Sequence, residues 1–284
     1  MIEEELLNRH IGREELAEDI VDPERLTRLA ALLDRDWSPD EEVPPLAHFV
    51  LFRPAQRQSV LSNDGHAMRN PDGMLPALPL PGRMWAGSRM RFERPLVSGA
   101  RIQRRSKLFS ATAKSAKSGS LVFCTVEHEI RHSDSAELLI TEQQDIVYRG
   151  GHEGPGLAKR PEIEPDFKPE STRSFRVGSV EMFRYSALTF NGHRIHYDRD
   201  YARKEEGYQG LVVHGPLLAT MLFDHVSQVA QGRRIAEFSF RALSPSFDEE
   251  QLTIGASIDG SSAKFCVTNP AGLAMTGQAK LVPA

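Results

Sequence analysis

The chain repeats itself, and the repeat limits its fold more than any single motif does. Leu138, Thr141, Gln143, Ile146 and Val147 recur as Leu273, Thr276, Gln278, Leu281 and Val282, always 135 residues further on. Phe123-Cys124 recurs as Phe265-Cys266 at a separation of 142, and Arg94 and Leu96 recur as Arg241 and Leu243 at 147. Pro45-Leu46 with Leu51-Phe52 recurs as Pro216-Leu217 with Leu222-Phe223 at 171. The order is kept throughout, and the changing separation assigns longer connections to the first half. Its largest step, 24 residues, falls on a stretch from Ala55 to Gly87 that is dense in Pro, Gly, Asn and Met. A loop of that length inside a compact domain is a binding loop or a cover.

Between Met90 and Val147, and again from Ile235 to Val282, apolar and polar residues alternate between Gly, Ser and Asn-Pro turns, the pattern of antiparallel strands. Each half therefore reads as a helix followed by a sheet of about four to five strands, an α+β plan in which the helix buries its apolar side on the sheet. A sheet wrapped around one helix is a hotdog. Two in one chain make a double hotdog, with the sheets expected to pair edge to edge. The expected division is a first repeat over residues 1–148, a linker over 149–170 rich in Gly and Pro, and a second repeat over 171–284. Residues 1–36, rich in Glu, Leu and Arg, read as one or two packing helices, the second opening at Asp22-Pro23.

A net charge of −4 and a pI near 6.2 argue against a general nucleic-acid or anionic-membrane binder. No run approaches the ~18 apolar residues of a membrane span. The acidic start MIEEELLNRH has neither the basic nor the apolar region of a signal peptide, so a cytoplasmic protein is expected. Cys124 and Cys266 lie in apolar, strand-like stretches and read as packed thiols rather than a disulfide.

The stretch from Phe183 to Val226, FRYSALTFNGHRIHYDRDYARKEEGYQGLVVHGPLLATMLFDHV, concentrates the chemistry. Asn191, His193, Arg194 and His196 fall within six residues and are followed by a His-Gly-Pro step into an apolar run of helical spacing. Pro216 suits the first turn of that helix, whose free amides stabilise an anion or an oxygen that becomes anionic. SALTFNGHRIHYDRDYA followed by VVHGPLLATML resembles the MaoC-like enoyl-CoA hydratases and type 2 hydroxyacyl-thioester dehydratases of the hotdog superfamily. Their signature, Ser-Gly-Asp-x-Asn-Pro-[Ile/Leu]-His, holds the reacting water on its Asp and His, and a later His-Gly amide receives the thioester oxygen. The resemblance places His196 on the catalytic His, Asn191 on the Asp, His193 on the Asn, Arg194 on the Pro and Gly215 on the oxyanion glycine. Asn191 is no base, so either His196 works with Asn191 orienting the water or a nearby group takes over. With GRMWAG, the motif is most similar to hydratases that convert the short dicarboxylic thioesters mesaconyl-C4-CoA (3-methylfumaryl-CoA) and itaconyl-CoA to citramalyl-CoA. That resemblance implies an acyl-CoA substrate, no cofactor apart from the substrate's own CoA, and no nucleic-acid or membrane partner. A homodimer is the one assembly it leaves open.

The chemistry agrees with the residues present: a base for water, a donor for the enolate oxygen and a proton for the alpha carbon. A dicarboxylic acyl group adds a need for a cation, for which Arg194 and Arg184 are the candidates and His193 a further contact. His193 and His196 are the only closely spaced histidine pair and no cysteine is near, so no metal is expected. His214 and His225 read as helix or core histidines, Asp198 and Asp200 as braces of the next turn, Arg203 to Glu206 as a solvated face, and Asp64-Gly65-His66 as a turn with a lesser case for His66 at the site. A separation of 171 carries Asn191 and His196 back to Ile20 and Arg25, so catalysis is expected in the second half alone. Other readings are a dehydratase of fatty-acyl carrier thioesters, a thioesterase, and a non-catalytic acyl-CoA binding module.

Overall fold

A computed structural model describes residues 4–116, 119–150 and 163–283. Its strands are β1 (Glu14–Ile20), β2 (Gly82–Phe92), β3 (Arg101–Ala116), β4 (Gly119–His132), β5 (Leu138–Arg149), β6 (Ser171–Phe175), β7 (Arg233–Ala242), β8 (Leu252–Asp259), β9 (Ser262–Asn269) and β10 (Gly272–Pro283). All ten join one antiparallel sheet in the order β1-β3-β4-β5-β2-β7-β10-β9-β8-β6. Outward from the middle the two sides have the same plan, first strand, last strand, then the two between and a short edge strand. They meet where β2 pairs β7, from Gly87 opposite Arg241 to Arg91 opposite Glu237. This is the expected α+β double hotdog with its sheets joined edge to edge. Most of the expected linker, residues 151–162, lies outside the described residues.

The helices are α1 (Glu4–Asn8), α2 (Pro23–Leu32), α3 (Ser179–Thr189), α4 (Arg199–Lys204) and α5 (Gly215–Val229). Helix α5 is the one wrapped by a sheet. Its Leu218, Leu222 and Val226 are buried in a core with Phe238 and Phe265, whose rings stack at 4.6 Å. Each such side chain contributes roughly 1.5–3 kcal/mol through burial. No described helix is long and apolar enough to cross a membrane.

The first half departs from the expectation here. In place of a matching helix, Ala47–Val50 forms a single 3-10 turn between left-handed residues Leu46 (φ 48°) and Phe52 (φ 55°). Prolines explain the difference: Pro44-Pro45 and Pro54 bracket only eight residues, and the residue before a proline is pushed out of helical conformation. Helix α5 has fifteen residues with proline only in its first turn. The short turn still fills the first half's core through Val50, Leu51 and Phe52, with Leu26 and Leu29 of α2.

Two further expectations are corrected. Glu14–Ile20 is a strand, not a helix, because pairing with β3 sets Glu14 beside Lys107 and Arg105, and this overrides the helix preference of EELAE. The repeat is also out of register with the sequence matches. Cys124 faces Ile146 across β4–β5, whereas Cys266 faces Thr276 across β9–β10, so the Cys and Thr matches cannot both mark equivalent positions. Likewise Arg91, not Arg94, faces Thr141 in the way that Arg241 faces Thr276. Runs of alternating apolar and polar residues give short matches at more than one register, which is why sequence found the repeat but slid along it by three and five residues. The equivalent of Asn191 also moves. Asp34 (φ 58°) and Phe190 (φ 50°) both turn left-handed just past α2 and α3, which sets Asn191 against Arg35 rather than Ile20. Arg35 pairs with the buried Asp224 of α5 at 2.5 Å. Cys124 and Cys266 are buried free thiols, as expected.

Candidate functional site

Helix α3 was not foreseen, and it is what aims the site. It buries Met182, Tyr185, Ser186 and Thr189, and the left-handed Phe190 then reverses the chain so that the Asn191 amide returns to Ser186 O at 2.8 Å. Asn191 Oδ1 accepts the His193 amide at 3.0 Å, an Asx turn that leads into the 3-10 turn Arg194–His196. Ile195 is buried and its carbonyl takes the Val212 amide at 2.9 Å. His196 is thereby pressed against the strand of chain that precedes α5.

Its Nδ1 lies 2.6 Å from Val212 O. A carbonyl can only accept, so Nδ1 carries the proton and Nε2 is left as a free acceptor. The ring stacks on His214 at 3.7 Å and meets His193 edge-on at 5.4 Å. His214, the residue before α5, is fully buried and shares a 2.9 Å hydrogen bond between Nε2 and Ser186 Oγ. Burial is the first cause of depressed basicity in all three: His196 falls to about 4, His193 to about 2, and His214 well below the usual histidine range. The cluster is neutral at pH 7. Gly215 opens α5, and apart from its chain neighbours and its own helix no atom lies within 4 Å of where its Cβ would stand, so there is space beside the first turn of the helix.

The long loop of the first half, expected as a binding loop or cover, reaches this turn, and the lesser reading of His66 at the site is the one the structure brings forward. Leu61 bridges Ala67, and the tip between them docks on the second half. The Arg194 amide donates to Asp64 O at 2.9 Å, and its Nη1 donates to Asn63 O and Oδ1 at 3.2 and 3.1 Å. Gly65, at φ 89°, packs so closely that a Cβ would overlap the Gly192 carbonyl. The tip brings the His66 ring to 4.0 Å from that of His193, with His66 Nδ1 3.1 Å from Asp64 Oδ2. Asp64 also accepts from Ser62 Oγ and the His66 amide, and these donors hold its carboxyl well below the usual range although burial acts first and in opposition. The Asp-Gly-His step in this loop was the available signal.

Asp64, His66 and His193 offer ligand atoms within 4.8 Å of one another, a geometry that could hold a metal ion. His66 Nδ1 and Asp64 Oδ2 are hydrogen-bonded to each other at 3.1 Å.

The arginines fall differently from expectation. Arg194 grips Asp198 at 2.7 and 3.1 Å, lies 4.1 Å over the Tyr201 ring and holds Asn63, so it is taken up in docking the loop. Asp198 also caps α4 through the Tyr201 amide, the bracing role expected of it. Arg184 is exposed on the outer face of α3. Arg53 and Arg104 of the first half have no ion-pair partner among the described residues. Arg53 follows the turn that replaces the helix, with Nε on Leu51 O at 3.0 Å, and Arg104 lies 4.9 Å over the Phe52 ring with its buried Nε unbonded. Arg53 is exposed by area, yet desolvation is the first cause of its lowered pKa, as for a side chain on the wall of a cleft; Tyr185, beside His214 at 5.1 Å, is the next influence.

Comparisons with known proteins bear on the family and the fold. Residues 46–248 match the family model for hydroxyacyl-thioester dehydratase type 2. The chain is 41% identical over 265 residues, 92% of each chain, to a mesaconyl-C(4)-CoA hydratase of Chloroflexus aurantiacus. It is 29% identical over 76% of its length, and 78% of the relative's, to the mitochondrial hydroxyacyl-thioester dehydratase type 2 of Schizosaccharomyces pombe. In structure it superposes on a MaoC-like dehydratase from Phytophthora capsici with a TM-score of 0.73, 16% identity and full coverage of both chains. A double hotdog whose second half presents a tautomer-fixed histidine beside an open helix N-terminus, matched in sequence from the first half's 3-10 turn to Asp248, thus belongs to the type 2 hydroxyacyl-thioester dehydratase family.

Proposed function

We propose that the chain is a hydro-lyase that hydrates a short dicarboxylic enoyl-CoA, with mesaconyl-C4-CoA first and itaconyl-CoA second among candidates, to citramalyl-CoA. The observation that carries this is the pairing of a free His196 Nε2, fixed by the Nδ1 bond to Val212 O, with the open Gly215 amide. With mesaconyl-C4-CoA, whose double bond is conjugated to the thioester, water donates a hydrogen to Nε2 and its oxygen attacks the beta carbon. The forming bond pushes the double-bond electrons toward the thioester carbonyl, and the Gly215 amide at the helix N-terminus stabilises the resulting enolate oxygen. The imidazolium then returns its proton to the alpha carbon, so the cycle restores neutral His196. A histidine depressed to about 4 is a weak base but is wholly available at neutral pH. Asn191, whose side-chain oxygen is used by the His193 amide, shapes the turn, and His193 walls the pocket.

In this reading the distal carboxylate meets Arg53 and Arg104. The carboxylates whose charges act on them are engaged elsewhere: Asp19 pairs with Arg25 at 2.7 Å and accepts the Phe52 amide, the buried Glu142 accepts Ser88 Oγ at 2.7 Å, and Glu15 accepts the Met74 amide at 3.2 Å. Two guanidiniums that reinforce each other's field without a partner favour an anionic ligand. Incubation with mesaconyl-C4-CoA, itaconyl-CoA and crotonyl-CoA, with products resolved by mass spectrometry, tests the proposal. Water addition to the dicarboxylic esters supports it, preference for long neutral acyl chains supports the fatty-acyl dehydratase reading, free CoA a thioesterase, and tight binding without turnover a binding module.

A further inference from the structure

Hydration needs its water held by two acceptors so that an oxygen lone pair faces the beta carbon, and the second half supplies only one. Asn191 stands where a carboxylate would be the other, and its oxygen already holds the His193 amide at 3.0 Å. We infer that the missing acceptor is His66 of the first half, held by Asp64, so that one water is shared between His196 and a dyad carried on the docked loop. This rests on the hydratase reading above.

The geometry is that of an oriented imidazole. Asp64 Oδ2 takes the Nδ1 proton at 3.1 Å, which leaves His66 Nε2 as a free acceptor, just as Val212 O leaves His196 Nε2 free. His193 touches both rings, at 4.0 and 5.4 Å, and a charge on His66 is felt at His196. The side chain of His66 is 26% exposed, so substrate and water can reach it. The loop tip is also built for one position: Gly65 against Gly192, Asp64 O on the Arg194 amide, and Arg194 on Asn63. As the C–O bond forms, one water proton passes to His196 Nε2 and later to the alpha carbon. The other stays on the product hydroxyl, hydrogen-bonded to His66 Nε2.

The test compares His66→Ala, His66→Gln, Asp64→Asn and His196→Ala with the wild type on mesaconyl-C4-CoA, each checked for unchanged thermal midpoint. Expected are a 10²–10³-fold loss of kcat in His66→Ala with KM changed less than about threefold, and about tenfold loss in Asp64→Asn. His66→Gln should recover at least tenfold of the alanine loss, since its amide oxygen also accepts; a merely structural histidine would show no such rescue in kcat alone. If the wild type and His66→Ala have equal kcat while His196→Ala is impaired, the dyad is overturned and the hydratase reading stands. If the wild type hydrates no enoyl-CoA, both fall. If chelation abolishes activity and zinc restores it, Asp64, His66 and His193 are metal ligands and the shared-water role is overturned.

Discussion

Gly65→Ala is the most direct probe of how the two halves cooperate. At φ 89° an alanine is strained by roughly 1–2 kcal/mol, and its methyl would stand inside the Gly192 carbonyl. Relief requires the tip to lift, which breaks the 2.9 Å bond from the Arg194 amide to Asp64 O at a cost of about 1 kcal/mol. The sum of about 2–3 kcal/mol lowers the ratio of docked to undocked loop by roughly 30- to 150-fold. The rest of the loop should stay in place, because Arg13 holds Pro71 O and Gly73 O, Arg69 holds Leu78 O and Leu80 O, and Met74, Leu78 and Leu80 are buried against β3 and β4. The expected outcome is a kcat on mesaconyl-C4-CoA lowered by between tenfold and 10²-fold, faster amide exchange confined to residues around 60–68, and a thermal midpoint within about 2 °C of wild type. Wild-type kcat in a protein whose tip exchanges faster would refute the dependence of turnover on docking.

His196→Ala should lower kcat by roughly 10²–10⁴ in a steady-state hydration assay, whereas His214→Ala, which loses a stacked ring and the Ser186 bond but no reacting group, should cost under about tenfold. Specificity for mesaconyl-C4-CoA over crotonyl-CoA should reach about 10², equivalent to ~3 kcal/mol, and Arg53→Met should shrink that ratio by harming the dicarboxylic ester; an unchanged ratio removes Arg53 from the clamp. Stability should fall on acidification. His196 and His128 titrate near 4 in the folded protein against 6.5 unfolded, so below pH 6.5 the unfolded chain binds protons that the folded one refuses. From pH 7 to pH 5 each costs about 2 kcal/mol, and urea midpoints flat across that range would contradict their burial as neutral rings.

Much of the fold was legible because strand alternation and a repeated order survive long divergence of detail. What failed was local. EELAEDI has the composition of a helix and becomes a strand only because β3 offers a complementary edge, a fact located some ninety residues away in the chain. The missing helix could have been read from Pro44-Pro45 and Pro54, which outweigh the likeness of Leu46 and Leu51-Phe52 to α5. At the site, His196 and Gly215 stood out because the stretch around them resembles the hydratase signature and its later His-Gly step. Asp64 and His66 did not, since their role depends on a loop crossing to the other half, and no periodicity records where a loop lands. Arg194 misled because a cation near a candidate catalytic histidine suggests a ligand; its carboxylate, Asp198, was only four residues away.

The antiparallel junction of β2 with β7 also has a consequence for stoichiometry. In an assembly of two identical single repeats, every substitution appears twice, so a helix cannot be dropped on one side and a catalytic turn kept on the other. Joining both copies in one chain lifts that restriction: one side keeps α5 and His196, while the other exchanges its helix for a short turn and sends a loop across. Such a chain should bind one equivalent of an unreactive acyl-CoA analogue, not two, and should show a simple hyperbolic isotherm by calorimetry.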